Sequence, residues 1–130
     1  MEVEVKVFVV EESAALSARL VERLAEVPRI TVISAARTVT EAVRALPNLI
    51  PDVVITDTDS LDGSGFALLH VLKARKVVSG SGPRILVWTG CQDPRRQALA
   101  EGLGVEAHFD KTLGFERLVD YCRRVADGCA

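Results

Sequence analysis

The chain has 130 residues, of which 48% are apolar and 26% are charged, and its formal net charge is −2. This length predicts one domain over residues 1–130 with enough apolar residues for a core. The charge argues against nucleic-acid binding, which usually shows a basic surface, and we interpret the pairs Arg95-Arg96 and Arg123-Arg124 as solvated helix faces. No apolar run approaches the ~20 residues that span a bilayer.

The chain start and the cysteines indicate a compartment. Residues 1–4 alternate acidic and apolar side chains, unlike a signal peptide. The three cysteines (Cys91, Cys122 and Cys129) have neither a paired number nor zinc-type spacing. We therefore expect a cytoplasmic protein with reduced thiols and no membrane attachment.

Strand and helix patterns alternate along the chain. Short β-branched runs predict strands over residues 5–10, 30–35, 53–56, 85–89 and 107–109. Helices are predicted after the capping residues Ser13 and Thr38, over 66–77, from Asp93-Pro94 to Gly102, and over 115–126. Residues 79–83, rich in Gly and Ser, form a loop. Gly102 and Gly104 end the fourth helix.

Five strands alternating with five helices predict an α/β fold with a central parallel sheet. Right-handed crossovers favour a flavodoxin-like three-layer (βα)5 sandwich with strand order 2-1-3-4-5. In that order the carboxyl ends of strands one, three, four and five meet at one edge.

Reactive side chains follow those strand ends: Glu11-Glu12, Asp57, Thr89 and Lys111. Crowded carboxylates repel one another and favour a bound cation, and oxygen ligands beside a phosphate suit Mg²⁺. A lysine can neutralise phosphoryl oxygens, and a hydroxyl can donate a hydrogen bond to them. The set predicts phosphoryl transfer onto a carboxylate.

With these residues the chain resembles the response-regulator receiver domains of two-component signalling. The resemblance extends from Val5 to about Ala126. It rests on Glu11-Glu12, on residues 51–57 with Asp62-Gly63 following, on Thr89-Gly90 and on residues 104–111. The four motifs occur in the family's order and at similar intervals.

The resemblance implies a role for each matching residue. Asp57 corresponds to the phosphoacceptor. Glu12, the Asp57 carboxylate and the backbone carbonyl of Asp59 correspond to the Mg²⁺ ligands, and Glu11 assists through water. Lys111 corresponds to the partner of the phosphoryl group.

Two further positions correspond to the family's switch. Thr89 moves toward the phosphoryl group, which the small Gly90 permits. His108 occupies a position that is often aromatic in the family. These residues would couple Asp57 to the surface of the fourth helix, fifth strand and fifth helix.

The sequence departs from the family at four places. Both members of the acidic pair are glutamates, whereas the family usually has at least one aspartate. The extra methylene moves each carboxylate away from the position that the octahedral geometry of Mg²⁺ requires. Leu61 stands where a proline is common. Thr112 stands where the lysine is usually followed by a cis-bonded proline, so we expect a looser loop around Lys111. Asp59 adds negative charge beside the acceptor.

Two other functions fit parts of the pattern. Asp57-Thr58-Asp59 resembles the signature of haloacid-dehalogenase-type phosphohydrolases, but Leu61 replaces the Thr or Val and the signature lies on the third strand. A pseudo-receiver, which uses the same fold for binding without phosphorylation, is the second alternative and is favoured by the two glutamates and Thr112.

The resemblance therefore implies a stand-alone receiver rather than an enzyme acting on other substrates. Its phosphoryl donor would be a histidine kinase or a phosphotransfer protein, and its output would be binding of a downstream protein. Direct nucleic-acid binding and membrane attachment are not expected, and a homodimer is left open. Only 19 residues follow Lys111, so we expect no attached output domain.

Overall fold

A computed structural model describes residues 3–59, 64–91 and 93–130 of the chain. The expectations for Met1, Glu2, Leu61 and Asp62-Gly63 lie outside these residues. The described residues form five strands: β1 (Val5–Val10), β2 (Ile30–Ala36), β3 (Val53–Thr56), β4 (Arg84–Thr89) and β5 (Val105–Asp110). They also form five α-helices: α1 (Ala14–Ala25), α2 (Val39–Ala45), α3 (Gly65–Ser79), α4 (Pro94–Gly102) and α5 (Phe115–Ala126).

The strands form one parallel sheet in the order β2-β1-β3-β4-β5. This confirms the predicted fold class and strand order. Because all five strands are parallel, the carboxyl ends of β1, β3, β4 and β5 lie at one edge of the sheet.

Two apolar clusters cover the two faces of the sheet. Val7 and Val9 of β1 belong to the cluster with α1 and α5, whereas Phe8 and Val10 belong to the cluster with α2, α3 and α4. Successive strand side chains point to opposite faces, so an almost continuous apolar strand is buried on both sides. The result is the predicted three-layer arrangement.

The helix starts follow the predicted capping residues. The Ser13 Oγ accepts a hydrogen bond from the Leu16 N–H at 3.2 Å, and the Thr38 Oγ1 accepts one from the Glu41 N–H at 3.1 Å. The Asp93 carboxylate accepts from the Arg95 N–H at 2.9 Å, with Pro94 as the first helical residue. Each bond satisfies an amide that the helix itself leaves unpaired.

Strand β5 is longer than the sequence predicts, running over Val105–Asp110 instead of 107–109. The polar residues Glu106, His108 and Asp110 conceal it from an apolar pattern, because β5 is an edge strand with a partly exposed face. Its pairing with β4, from Ile85 to Thr89, determines its length.

Burial makes Cys122 an apolar packing residue. It lies in the cluster beneath α5, where burial raises the pKa of its thiol to about 12. Within the three described ranges, no helix combines the length and apolarity needed to cross a membrane.

Candidate functional site

Three of the predicted site residues meet at the carboxyl edge of the sheet. Glu11 directly follows β1, Asp57 directly follows β3 and Lys111 directly follows β5. The Lys111 Nζ lies 2.7 Å from Glu11 Oε1 and 2.7 Å from Asp57 Oδ2. Lys111 therefore bridges two acids that are 46 residues apart in the chain.

This ion-paired group is largely removed from water. The side chain of Glu11 is 1% exposed, that of Asp57 13% and that of Lys111 21%. A buried charge is tolerated only when an opposite charge and hydrogen bonds compensate it. Glu11 also accepts a hydrogen bond on Oε2 from the Ser13 N–H at 2.9 Å, close to the amino end of α1.

The environment of Lys111 favours its charged form. Burial lowers its pKa, but the bonds and charges of Asp57 and Glu11 outweigh this and raise the pKa above the ordinary 10.5. The ammonium also lies 5.9 Å from the centroid of the Trp88 ring. The site thus holds a fixed positive charge beside the Asp57 carboxylate at neutral pH.

A raised lysine pKa predicts a loss of stability in alkali. Lys111 stabilises the fold fully below its unfolded pKa, and this contribution disappears as the pH rises through the higher folded value. We expect the fall in the free energy of unfolding above about pH 10.5, measured by urea titration, to be shallower in Lys111→Met than in the wild-type protein, while the buried Cys122 thiol contributes equally to both.

The phenol of Tyr121 contributes in the same pH range. Burial and its hydrogen bond to Glu106 raise its pKa, so it also disfavours the folded state in alkali. Tyr121→Phe is therefore the control that separates the two residues. Equal alkaline slopes in the wild-type protein and Lys111→Met would contradict the assignment to Lys111.

The second glutamate, Glu12, has different described contacts. The Glu12 backbone carbonyl accepts bonds from Arg37 Nε and Nη2 at 3.1 and 2.9 Å. Glu12 also lines a cavity of about 30 Å³ together with Asp57 and Ser64. Among residues 3–59, 64–91 and 93–130, no three His, Cys, Asp or Glu residues form a group that could hold a metal ion.

Hydrogen bonds hold the two residues directly after Asp57, Thr58 and Asp59. The Asp59 N–H donates to Asp57 Oδ1 at 2.9 Å, and Arg96 Nη2 of α4 donates to the Thr58 carbonyl at 2.5 Å. Arg96 Nη2 also lies 4.0 Å from the Asp59 carboxylate. The interpretation of Arg95-Arg96 as a solvated face is therefore correct only for Arg95, which is exposed, whereas Arg96 is half-buried.

Thr89 lies at the same edge as the last residue of β4 and is 2% exposed. Its Oγ1 accepts a bond from the Cys91 N–H at 3.1 Å, and its backbone carbonyl accepts from the Lys111 N–H at 3.1 Å. Thr89 is thus bonded to the backbone of Lys111. The described hydrogen bond of the Thr89 side chain is the one that it accepts from the Cys91 amide.

His108 lies on β5, opposite Val87 of β4. It is half-buried, and burial lowers its pKa, opposed by the charge of Glu101 on α4. The net shift favours the neutral imidazole. Its predicted role as a switch residue stays a prediction.

The turn that carries Lys111 is held without a proline at position 112. The Asp110 carboxylate accepts bonds from the Thr112 and Leu113 N–H groups at 2.8 and 2.7 Å. The Gly114 N–H donates to the Asp110 carbonyl at 3.0 Å, and a Cβ at Gly114 would lie 2.6 Å from the Asp110 nitrogen. These contacts hold the backbone around Lys111 together, and the expectation that this loop is looser than in the family stays a prediction.

Solved structures with the same fold come from bacterial signalling proteins. The signal receiver domain of a DNA-binding response regulator (merR) from Colwellia psychrerythraea 34H is 21% identical with a TM-score of 0.82, over 95% of this chain and 98% of that one. The response regulator domain of Thermotoga maritima CheB is 19% identical with a TM-score of 0.78, over 96% and 95%.

A third similar structure was determined with a phosphomimetic ligand. It is the isolated REC domain of RcsB from Salmonella enterica serovar Typhimurium in the presence of BeF3−, 20% identical with a TM-score of 0.79, over 96% of this chain and 90% of that one. No protein-family model and no curated protein matches the sequence. At these identities the comparisons show that the chain has the fold of response-regulator receiver domains.

Proposed function

We propose that this protein is a phosphoacceptor receiver, phosphorylated on Asp57. The observation that carries the proposal is the Lys111 ammonium, 2.7 Å from Asp57 Oδ2 at the carboxyl edge of the sheet. In this reaction an Asp57 carboxylate oxygen attacks phosphorus, the bond from phosphorus to the donor breaks, and the donor leaves with the electron pair. Lys111 stabilises the charge on the transferring oxygens.

The resemblance and the shared fold support a wider assignment. Residues 1–130 form one receiver-like domain in the cytoplasm, and its phosphoryl donor is a histidine kinase or a phosphotransfer protein. The output is binding of a downstream protein, with neither nucleic acid nor membrane as a direct partner, and self-association is one form that this binding can take. The protein catalyses only its own phosphorylation and dephosphorylation.

Mg²⁺ belongs to this proposal, with a modified ligand set. Glu12 and Asp57 line one small cavity, so these two carboxylates fit a cation. The Asp59 backbone carbonyl and phosphoryl oxygens would complete the set, and the ion would supply charge neutralisation. Glu11 is engaged by Lys111 and the Ser13 amide, so it assists only through water.

Thr89 and His108 are the proposed switch residues. Rotation of the Thr89 hydroxyl away from the Cys91 amide would allow it to bond a phosphoryl oxygen on Asp57. His108 lies one strand further out, on the side facing α4. The phosphoryl group changes the surface only by favouring one arrangement of these residues over the other.

Incubation with acetyl phosphate and Mg²⁺, followed by intact-mass measurement, tests the proposal. We expect a phosphoryl adduct in the wild-type protein and none in Asp57→Asn, which keeps the shape of the side chain but lacks the nucleophilic oxygen. Asp59→Asn is the matched control and should still form the adduct. An adduct that persists in Asp57→Asn would refute the assignment of Asp57.

A pseudo-receiver is the second candidate, favoured by one observation. Lys111 already forms an ion pair with both Glu11 and Asp57, so each of these carboxylates has a cationic partner in the absence of a metal ion. Absence of an adduct, together with no change in Trp88 fluorescence on adding beryllofluoride, would favour this candidate. Rapid turnover of acetyl phosphate without an adduct would instead favour a phosphohydrolase.

A further inference from the structure

Arg96 links helix α4 to the loop that follows Asp57. Its Nη2 donates to the Thr58 carbonyl at 2.5 Å, and its guanidinium carbon lies 5.0 Å from the centroid of the Phe66 ring on α3. The same Nη2 is 4.0 Å from Asp59 Oδ1. A guanidinium is a planar donor that can combine ring stacking with a directed hydrogen bond.

The Thr58 carbonyl belongs to the peptide group that binds the Asp57 carboxylate. The carbonyl carbon of Thr58 and the nitrogen of Asp59 form one planar unit, and its N–H donates to Asp57 Oδ1 at 2.9 Å. A cation bonded to the carbonyl oxygen polarises the unit and strengthens the N–H as a donor. Arg96 therefore acts on Asp57 across a single peptide bond.

The position of this peptide group is constrained from a second side. Thr58 is 6% exposed, and a Cβ built on Gly65 would lie 2.6 Å from the Thr58 Cα, carbonyl carbon and carbonyl oxygen. The backbone of α3 thus packs directly against the group that Arg96 binds. The Arg96 hydrogen bond and the packing of α3 therefore both restrict the orientation of this peptide group.

The two oxygens of Asp57 are consequently held by different parts of the fold. Oδ2 contacts Lys111 after β5, and Oδ1 contacts the peptide that Arg96 of α4 holds. Orientation of a reacting group is a large component of catalysis, and small misplacements are costly. The side chain of Arg96 is 36% exposed, so its effect arises from geometry more than from charge.

We propose that Arg96 is a positioning residue for phosphorylation: through the Thr58–Asp59 peptide group it orients the Asp57 carboxylate for attack on phosphorus. The inference rests on the proposed function for its consequence. The hydrogen-bonded arrangement itself exists without phosphorylation. The described contacts of Arg96 are with the Thr58 carbonyl, the Asp59 carboxylate and the Phe66 ring, so we assign its effect on Asp57 to the peptide group.

The test uses Arg96→Met, which keeps an unbranched stem against Phe66 but removes every donor. Arg95→Met is the matched control, because Arg95 is the adjacent arginine on the same helix and is exposed. In the unphosphorylated protein we expect the Asp59 amide proton resonance to move upfield in Arg96→Met and to stay in place in Arg95→Met. Arg96→Lys retains an ammonium donor, so its Asp59 amide resonance should lie between those of the wild-type protein and Arg96→Met.

The second readout is the rate of adduct formation with acetyl phosphate. We expect it to fall about three- to tenfold in Arg96→Met and to be unchanged in Arg95→Met. An unaltered Asp59 amide resonance in Arg96→Met would overturn the positioning role, as would an unchanged rate. If the wild-type protein forms no adduct, the proposed function fails, while the Asp59 resonance still decides whether Arg96 holds the peptide.

Discussion

Replacing Lys111 with methionine is expected to abolish efficient phosphorylation of Asp57 and to lower the free energy of unfolding by about 2–4 kcal/mol. The stability loss arises because Glu11, whose side chain is 1% exposed, would lose its ion-pair partner and retain only the Ser13 amide as a described partner. Removing one member of a buried ion pair costs more than the pair itself contributes. Urea denaturation, followed by Trp88 fluorescence, measures this loss.

Two further variants separate the buried charge from general effects of a lysine replacement. Lys76→Met replaces an exposed lysine on α3 and should change the free energy of unfolding by less than about 0.5 kcal/mol. Adding Glu11→Gln to Lys111→Met should recover much of the loss, because the uncompensated charge is then absent. If the double variant is as unstable as the sum of the single variants, the ion pair is not the cause.

Replacing Gly65 with alanine is expected to destabilise the fold by about 1–3 kcal/mol and to slow phosphorylation of Asp57. The new Cβ would lie 2.6 Å from backbone atoms of Thr58, which cannot move aside as a flexible side chain could. This clash exceeds the gain in helix propensity, about 1 kcal/mol for alanine over glycine. Displacement of Thr58 would also carry the Asp59 amide away from Asp57 Oδ1.

Gly102→Ala is the matched control for this prediction. Gly102 is also a terminal residue of a helix, and a Cβ there would meet nothing within 4 Å. We expect Gly102→Ala to be neutral or slightly stabilising in the same denaturation assay, with a normal rate of adduct formation. A Gly65→Ala variant as stable as the wild-type protein would show that α3 can retreat from the Thr58 backbone.

Local patterns in the sequence were sufficient for most of the architecture. The apolar run of β1 and the capping residues Ser13 and Thr38 specify their elements through contacts within a few residues of the chain. The alternation of elements then predicts the parallel sheet, and that sheet brings Glu11, Asp57 and Lys111 to one edge. All three directly follow strands whose carboxyl ends the sequence located within one residue.

The extent of β5 was not readable in this way. Its exposed polar residues follow no apolar alternation, and pairing with β4 determines how far it runs. The same limit applies to Gly65, because the residue that leaves no room for a side chain there is Thr58, seven residues earlier in the chain. A contact between elements depends on how they pack, which local propensity does not encode.

By itself the sequence determined the fold, the strand-end residues and their shared edge, because strand periodicity and helix caps are local properties. Only the tertiary structure decided that Lys111 pairs with Glu11, whereas Glu12 lines the small cavity beside Asp57. It also decided that Arg96, not Arg95, turns toward the Asp57 loop. Adjacent helix residues point about 100° apart, and the packing of α4 on its neighbours sets which of the two faces inward.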